Sequence, residues 1–276
     1  MEQKHLVVIG NGMAGMACVD QILKRKPNFR ITVLSEEPYY NYNRILLSSV
    51  LAGEKQVDEI YINSREWYEQ NKIALHLMQR VIEVDSKSKK VYAHDGTCYE
   101  YDSLLIATGS NPFVPPIEGV QKEGVYTFRN MEDTNKIIQS CETAREAVVI
   151  GGGLLGLEAA RGIANRGVKV TVVHLMDRLM DMQVDETGGQ FLKREIEKMG
   201  ITVLLNKNTE KIMGQDKVEG VQFKDGHIVT ADMVVVACGI RPNTELGKKA
   251  DYKVENLGSL EELYTKIDQL LSKDLA

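Results

Sequence analysis

Cysteine is scarce and dispersed: Cys18, Cys98, Cys141 and Cys238 are the only four in 276 residues, and no C-x-x-C pair occurs. A structural zinc site needs clustered ligands and thioredoxin-type exchange needs adjacent thiols, so neither a metal centre nor that chemistry is expected. The pattern predicts reduced, mostly buried thiols in a cytoplasmic protein. Positive charge is not in excess either. Lys plus Arg number 34 against 39 Asp plus Glu, a net charge of −5. That balance argues against nucleic acid as the main partner, because counterion release needs clustered cations. Long apolar runs are missing too: the longest nearly continuous one, 147–157, is glycine-rich and too short to span a bilayer, so no membrane partner is expected. The apolar run 6–9 ends at once in glycines and does not read as a signal peptide. What remains is an ordinary soluble composition, 43% apolar and 26% charged, in a chain long enough for one large or two ordinary domains.

Within it one plan is used twice. Leu6-Val7-Val8-Ile9 leads into Gly10-Asn11-Gly12-Met13-Ala14-Gly15; a helical pattern follows to about Lys24, Pro27 breaks it, and Ile31-Thr32-Val33-Leu34 reads as the next strand. The second copy runs Ala147-Val148-Val149-Ile150, then Gly151-Gly152-Gly153-Leu154-Leu155-Gly156, a helix to about Asn165, a stop at Gly167 and a strand over 170–173. Each half then has a hairpin turning on Asp-Gly, at 95–96 and 225–226. Each closes in a buried-looking strand and a glycine, Leu104-Leu105-Ile106-Ala107-Thr108-Gly109 and Val234-Val235-Val236-Ala237-Cys238-Gly239. Pro112-Phe113-Val114-Pro115-Pro116 reads as the linker. The expected divisions are a first nucleotide unit over 1–112, a second over 113–243, and a remainder, 244–276. In the remainder Ser259-Leu260-Glu261-Glu262 suggests a capping box, and Leu260, Leu263, Ile267, Leu270 and Leu271 recur at helical spacing, so an amphipathic helix is predicted over roughly 259–273.

Glycines cluster in many turns, but here each motif stands between a strand and a helix, the context that confirms a dinucleotide site. The first glycine makes the turn, the second lets backbone approach a pyrophosphate, and the third allows close helix–strand packing, with the phosphates at the helix N-terminus. An acid after the second strand normally meets the adenosine ribose. In the first unit Ser35 ends that strand and Glu36, about twenty residues beyond Gly15, is the candidate. In the second unit the strand ends at His174, whose neutral imidazole can hydrogen-bond a ribose without separating NAD from NADP. Arg178 either meets a 2′-phosphate or is a plain surface arginine.

These residues resemble the two-dinucleotide flavoprotein reductases. Gly10-Asn11-Gly12-Met13-Ala14-Gly15 and Tyr42-Asn43-Arg44-Ile45-Leu46-Leu47-Ser48-Ser49 are similar to that superfamily's first FAD-binding segments. Ala107-Thr108-Gly109-Ser110-Asn111-Pro112, the stretch 151–158 and Gly239-Ile240-Arg241-Pro242-Asn243 extend the match. Within the superfamily, Arg129-Asn130-Met131-Glu132-Asp133, Gly153-Leu154-Leu155-Gly156-Leu157-Glu158 and Val172-Val173-His174-Leu175-Met176 most resemble the N-terminal reductase portion of NAD(P)H-dependent nitrite reductase large subunits. Rubredoxin and ferredoxin reductases are next, and the likeness covers about residues 5–246. It implies an α/β fold of two Rossmann-like three-layer units. It implies that Gly10, Gly12, Met13, Ala14 and Gly15 hold the FAD pyrophosphate and Glu36 the ribose. Arg44 and Ser48 would approach the flavin or its phosphates, Val81 the adenine edge, and Thr108 and Gly109 would close over the dinucleotide. Gly151, Gly153, Leu154, Leu155 and Gly156 would hold NAD(P)H, with His174 at its ribose, Gly239 at its nicotinamide half and Glu158 beside the nicotinamide as the catalytic group. NADH is preferred over NADPH only slightly.

Disulfide reductases of this superfamily place a redox cysteine in or just after the first flavin segment. Residues 42–49 contain none, and Cys18 falls on the predicted first helix. The resemblance therefore implies simple electron transfer, in which NAD(P)H reduces FAD and a separate acceptor, a small redox protein or redox-centre subunit, takes the electrons. No cysteine cluster is present for a sirohaem–iron–sulfur centre, so nitrite reduction is not expected in this chain; a homo-oligomer is compatible with the sequence. One feature departs from the superfamily. After the G-x-R-P-N stretch its members supply T-x-x-x-x-I-Y-A-x-G-D/E, whose acid meets FAD; nothing after Asn243 matches, and no Gly-Asp dipeptide occurs. The alternative expectation is thus a non-catalytic dinucleotide-binding or assembly subunit whose flavin site a partner chain completes.

Overall fold

The computed structural model describes residues 3–25, 28–254, 259, 261–262, 265–266 and 269. The chain divides into two units, one of Met1–Tyr42, Ile62–Gly109 and the chain from Asn243 on, the other of Asn43–Tyr61 and Ser110–Pro242. The segment 43–61 therefore groups with the second unit, although it lies within the first of the sequence divisions.

In the first unit the strand Lys4–Ile9 pairs in parallel with Phe29–Leu34 on one side and Ser103–Ile106 on the other, and Ile73–His76 completes the sheet. Alternation along the central strand sends its side chains into two layers. Leu6 and Val8 pack with Met16, Val19 and Ile22 of the helix Met13–Lys24. Val7 and Ile9 pack with Leu34, Val81 and Val91 on the opposite side. That side is covered by an antiparallel layer of Val81–Asp85, Lys90–Ala93 and Cys98–Glu100, its last turn made by Asp95-Gly96 as the sequence predicts.

The second unit repeats the plan with one strand more. Glu146–Ile150 lies between Lys169–Val173 and Met233–Val236, flanked by Thr202–Leu204 and Val125–Thr127, all parallel. Val148, Ile150, Val234 and Val236 pack against Ile212, Val221 and Phe223 of the antiparallel layer Thr209–Met213, Gly220–Phe223 and Ile228–Thr230, which turns on Asp225-Gly226. The helix Leu154–Asn165 covers the other face with Ala159, Ala160 and Ile163, all fully buried. The extra strand explains a difference between the halves: Met233–Val236 has a neighbour on both sides and is buried, whereas Ser103–Ile106 is an edge strand and only half-buried. Both units are Rossmann-like and three-layered.

The expected linker begins as a strand. Ser110–Pro112 pairs antiparallel with Ile240–Pro242, with Pro112 opposite Ile240. Each proline stands at the end of its strand in a two-stranded ribbon, where a missing N–H interrupts no ladder. The predicted helix over 259–273 lies mostly outside the described residues, its whole leucine stripe included; of its capping pattern, the Glu262 N–H donates to Ser259 Oγ at 3.2 Å.

Gly10 has φ +109°, and a Cβ there would strike the carbonyl of Ala107; Gly153 has extended backbone with open space around it. Gly10→Ala is therefore expected to cost about 2–4 kcal/mol through backbone strain and overpacking. Gly153→Ala should cost under about 1 kcal/mol, within the ordinary spread of an N-cap change. Urea unfolding of both variants checks this, and equal losses would refute the strand-seating role of Gly10.

Candidate functional site

Each unit presents a helix start that no side chain caps. Gly12 and Gly153 are the N-cap residues of Met13–Lys24 and Leu154–Asn165, and neither helix has an acid in its first turn. By contrast Ser64, Asn130 and Asp185 cap the helices Arg65–Gln70, Met131–Cys141 and Glu186–Lys198, each of which carries acid in its first turn. First-turn N–H groups have no intrahelical partner, so Met13, Ala14 and Gly15, and likewise Leu154, Leu155 and Gly156, offer donors at a positive helix end. A Cβ at Gly12 or Gly153 meets nothing within 4 Å. The flanking glycines are tight instead. At Gly10 and Gly151 a Cβ would strike the carbonyls of Ala107 and Ala237; at Gly15 it would stand 2.6 Å from Gly10 O, and at Gly156 it would strike Gly151 O. The outer glycines thus seat helix on strand while the middle one keeps space open over free donors.

Around the first cradle, Ser35 Oγ donates to Glu37 O at 3.0 Å, and the Glu37 carboxylate accepts from the Tyr42 hydroxyl at 2.6 Å. Glu36 remains at the surface beyond the strand, its carboxylate 3.6 Å from Arg80 Nε in an exposed pair that holds it weakly. Thr108 Oγ1 donates to Asn243 O at 2.7 Å, and the Asn243 N–H donates to Gly109 O at 2.9 Å, so the returning chain is tied to this strand end. Val81 is a core residue, 7% exposed among Val7, Ile9 and Leu34. Its side chain fills the space under the sheet.

Arg44 and Ser48 fall in the second unit with the other glycine motif, not in the unit of Gly10. Arg44 opens a one-turn helix, Arg44–Leu46, in which the Ile45 N–H donates to Asn43 Oδ1 at 3.1 Å. Arg44 Nη1 donates to Arg129 O at 3.3 Å and Ser48 Oγ to Ile45 O at 3.2 Å. Their segment is anchored to the Leu154–Asn165 helix and the residue after it: Leu51 packs on Gly162, Arg161 pairs with Glu54, and Arg166 donates to the carbonyls of Val50 and Leu51.

Glu158 stands four residues beyond Leu154 and so on the same helix face. It is half-buried, forms no hydrogen bond or ion pair with another described residue, and burial pushes its carboxyl up from the usual range. Gly239, exposed with φ +108°, follows the Met233–Val236 strand, and its carbonyl accepts from the Phe113 N–H at 2.8 Å. His174 turns inward: Nδ1 is 3.0 Å from the Gly152 nitrogen and Nε2 is 3.0 Å from Asp181 Oδ1. Arg178 is a loop staple, bonded to the carbonyls of Val184 and Asp181 and to the Asp177 carboxylate.

A buried network under the first cradle has no counterpart in the sequence reading. Tyr68 donates to Asn11 Oδ1 at 2.8 Å, Asn11 Nδ2 to Tyr39 O at 3.2 Å, and Asn41 Nδ2 to Asn11 O at 2.9 Å. Burial drives the Tyr68 phenol up to about 12. The signal available was Asn11 itself, a polar side chain where the second motif has glycine. Tyr68→Phe leaves Asn11 Oδ1 without this donor and should cost about 1–2 kcal/mol in urea unfolding; no measurable loss would show that the network does not brace the loop.

All four cysteines are free; Cys98 is exposed and the others half-buried, so burial is less complete than expected. Burial raises Cys18 and lifts Cys141 and Cys238 to about 11, far from thiolate reactivity. Among the described residues no His, Cys, Asp and Glu cluster is arranged to hold a metal ion, and no helix is long and apolar enough to cross a membrane.

Residues 4–269 match the pyridine nucleotide-disulphide oxidoreductase family. Over 255 residues the chain is 49% identical to the nitrite reductase [NAD(P)H] of Bacillus subtilis, covering 92% of this chain and 32% of that protein. It is 43% identical over 255 residues to the assimilatory nitrate reductase electron transfer subunit of the same organism, at 92% and 33% coverage. The chain thus spans about a third of the length of these relatives. Among solved structures, an NAD-dependent persulfide reductase from A. fulgidus has a TM-score of 0.84 at 33% identity, over 92% of this chain and 49% of that one. With a match along nearly its whole length and two uncapped glycine cradles on duplicated parallel sheets, the chain belongs to the pyridine nucleotide-disulphide oxidoreductase family.

Proposed function

We propose that this chain is an FAD-dependent NAD(P)H oxidoreductase module that passes electrons from NAD(P)H through flavin to a separate redox protein or redox-centre subunit. The observation that carries it is the pair of uncapped, acid-free helix starts, each open above its middle glycine. The residues fit two dinucleotides. Gly12 with the N–H groups of Met13, Ala14 and Gly15 takes the FAD pyrophosphate, and Glu36 takes the ribose. Gly153, Leu154, Leu155 and Gly156 take NAD(P)H, with Gly239 at its nicotinamide half. Bound FAD supplies the chemistry that connects a hydride donor to a one-electron acceptor.

The protein supplies placement and charge. One helix end stabilises an anion by only about 0.3–1 kcal/mol at an exposed site, so several N–H groups act together on each pyrophosphate. Glu158 sets an unpaired carboxylate beside the nicotinamide and stabilises the positive charge left there when hydride departs. The cysteines take no part: three are held as thiols by burial, and none lies in 42–49. NADH is the better fit, because Arg178 is bonded within its own loop. A separate acceptor is supported by the 43% identical relative, whose name is that of an electron transfer subunit. The cytoplasm, where NAD(P)H is supplied, is its setting.

The test is a visible spectrum after loading with FAD and gel filtration, followed by anaerobic NADH. Near-stoichiometric flavin bands that bleach are expected. Colourless protein that cannot take up FAD overturns the reading and favours a subunit completed by a partner chain.

A further inference from the structure

His174 follows the strand Lys169–Val173, at the position where dinucleotide folds place a ribose acid. Its imidazole instead grips the glycine loop. The Gly152 N–H donates to Nδ1 at 3.0 Å, and Nε2 lies 3.0 Å from Asp181 Oδ1. A backbone N–H can only donate, so Nδ1 is bare and the ring proton sits on Nε2, donated to Asp181. The other side of the loop is held as well, since the Met180 N–H donates to Gly152 O at 2.9 Å. There is no slack: a Cβ on Gly152 would come within 2.7 Å of Leu179 Cδ2 and 2.8 Å of His174 Cγ, and Leu179 is fully buried.

The first unit fixes the same place by other means. There the residue between the first two motif glycines is Asn11, whose side chain reaches Tyr39 O and receives the Tyr68 hydroxyl. Gly152 has no side chain to reach with, and His174 reaches to it.

We propose that His174 is a positioning residue for NAD(P)H: clamped by Asp181 as the Nε2–H tautomer, it fixes the Gly152 peptide, and through it the open cradle at Gly153, and is not itself a ribose ligand. This rests on the reading of the second unit as the NAD(P)H site. Asparagine places its Oδ1 where Nδ1 stands and keeps the acceptor for Gly152. Glutamine places its amide nitrogen where Nε2 stands, keeps the donor to Asp181 and abandons Gly152. An unmet buried N–H in the loop is expected to weaken binding about tenfold.

The experiment is calorimetric titration of the FAD-loaded chain with NAD+, which binds without turnover, alongside heteronuclear NMR of the labelled imidazole. His174→Gln should raise the Kd about tenfold or more, His174→Asn should stay within about threefold of the unaltered chain, and both should keep their flavin. NMR should show the Nε2–H tautomer, with the Nδ1–H form appearing in Asp181→Ala, which also loosens binding should His174→Gln fail to fold. Equal losses in Asn and Gln, no loss in either, or an Nδ1–H tautomer in the unaltered chain would overturn the proposal. Failure of the unaltered chain to bind NAD+ while the Nε2–H signature is present would instead overturn the nucleotide reading of the unit.

Discussion

Gly12→Val is expected to purify folded but without flavin, whereas the unaltered chain loaded beside it should be yellow. The fold is spared because Gly12 has φ −82° and ψ 175°, extended backbone that valine favours, and a Cβ there meets nothing within 4 Å. The loss of a glycine N-cap is worth only a few tenths of a kcal/mol. What the side chain does fill is the space over the N–H groups of Met13, Ala14 and Gly15, so the pyrophosphate loses all of these contacts together. Each charge-assisted hydrogen bond is worth about 1.5–3 kcal/mol, and losing two amounts to at least about a hundredfold in affinity. Gly153→Val should give the matching result in the other unit, with flavin retained and the KM for NADH raised by about the same factor. The ratio of visible to ultraviolet absorbance after gel filtration, with a thermal melt on the same sample, reads flavin and fold in both variants, and initial rates against NADH concentration read the KM. Flavin retained in Gly12→Val would remove FAD from the first cradle; a lost fold would show that its open space is structural.

Why the cradles are legible in sequence is visible in that contrast. Gly10 and Gly151 are demanded by positive φ and by a carbonyl one strand away, and Gly15 and Gly156 by helix-on-strand contact. These are requirements of a single strand–turn–helix, so a local pattern carries them. The partition of 43–61 depends on Arg161 with Glu54 and Arg166 with Leu51, contacts between residues more than a hundred positions apart, and no local spacing announces them. Val81 shows another limit: a valine opening a strand reads the same whether its side chain lines a ligand or, as here, the core beneath Ile9 and Leu34. His174 shows a third, since its position predicts a ribose contact but the direction of its ring is decided by Gly152 and Asp181.

Glu158→Gln is expected to do two opposite things, to raise the thermal midpoint at neutral pH and to slow flavin reduction by NADH. Burial raises the folded carboxyl above its unfolded value, and no described residue pairs with it. Below the unfolded pKa, about 4.3 for glutamate, both states are protonated and Glu158 carries no penalty. As pH rises through the higher folded pKa the folded state must hold a partly desolvated charge, and the penalty is fully present above it. Glutamine keeps the shape without the charge, so its advantage should appear at neutral pH and vanish in acid. Reduction should fall about tenfold to a hundredfold in rate with little change in KM, because the carboxylate acts on charge that develops as hydride leaves. The pair of readouts separates the cases. Neutralising a surface charge would change neither, and neutralising a structural ion-pair partner would lower the midpoint. Only a carboxylate kept unpaired for its effect on the reaction makes the protein more stable and slower when it is removed.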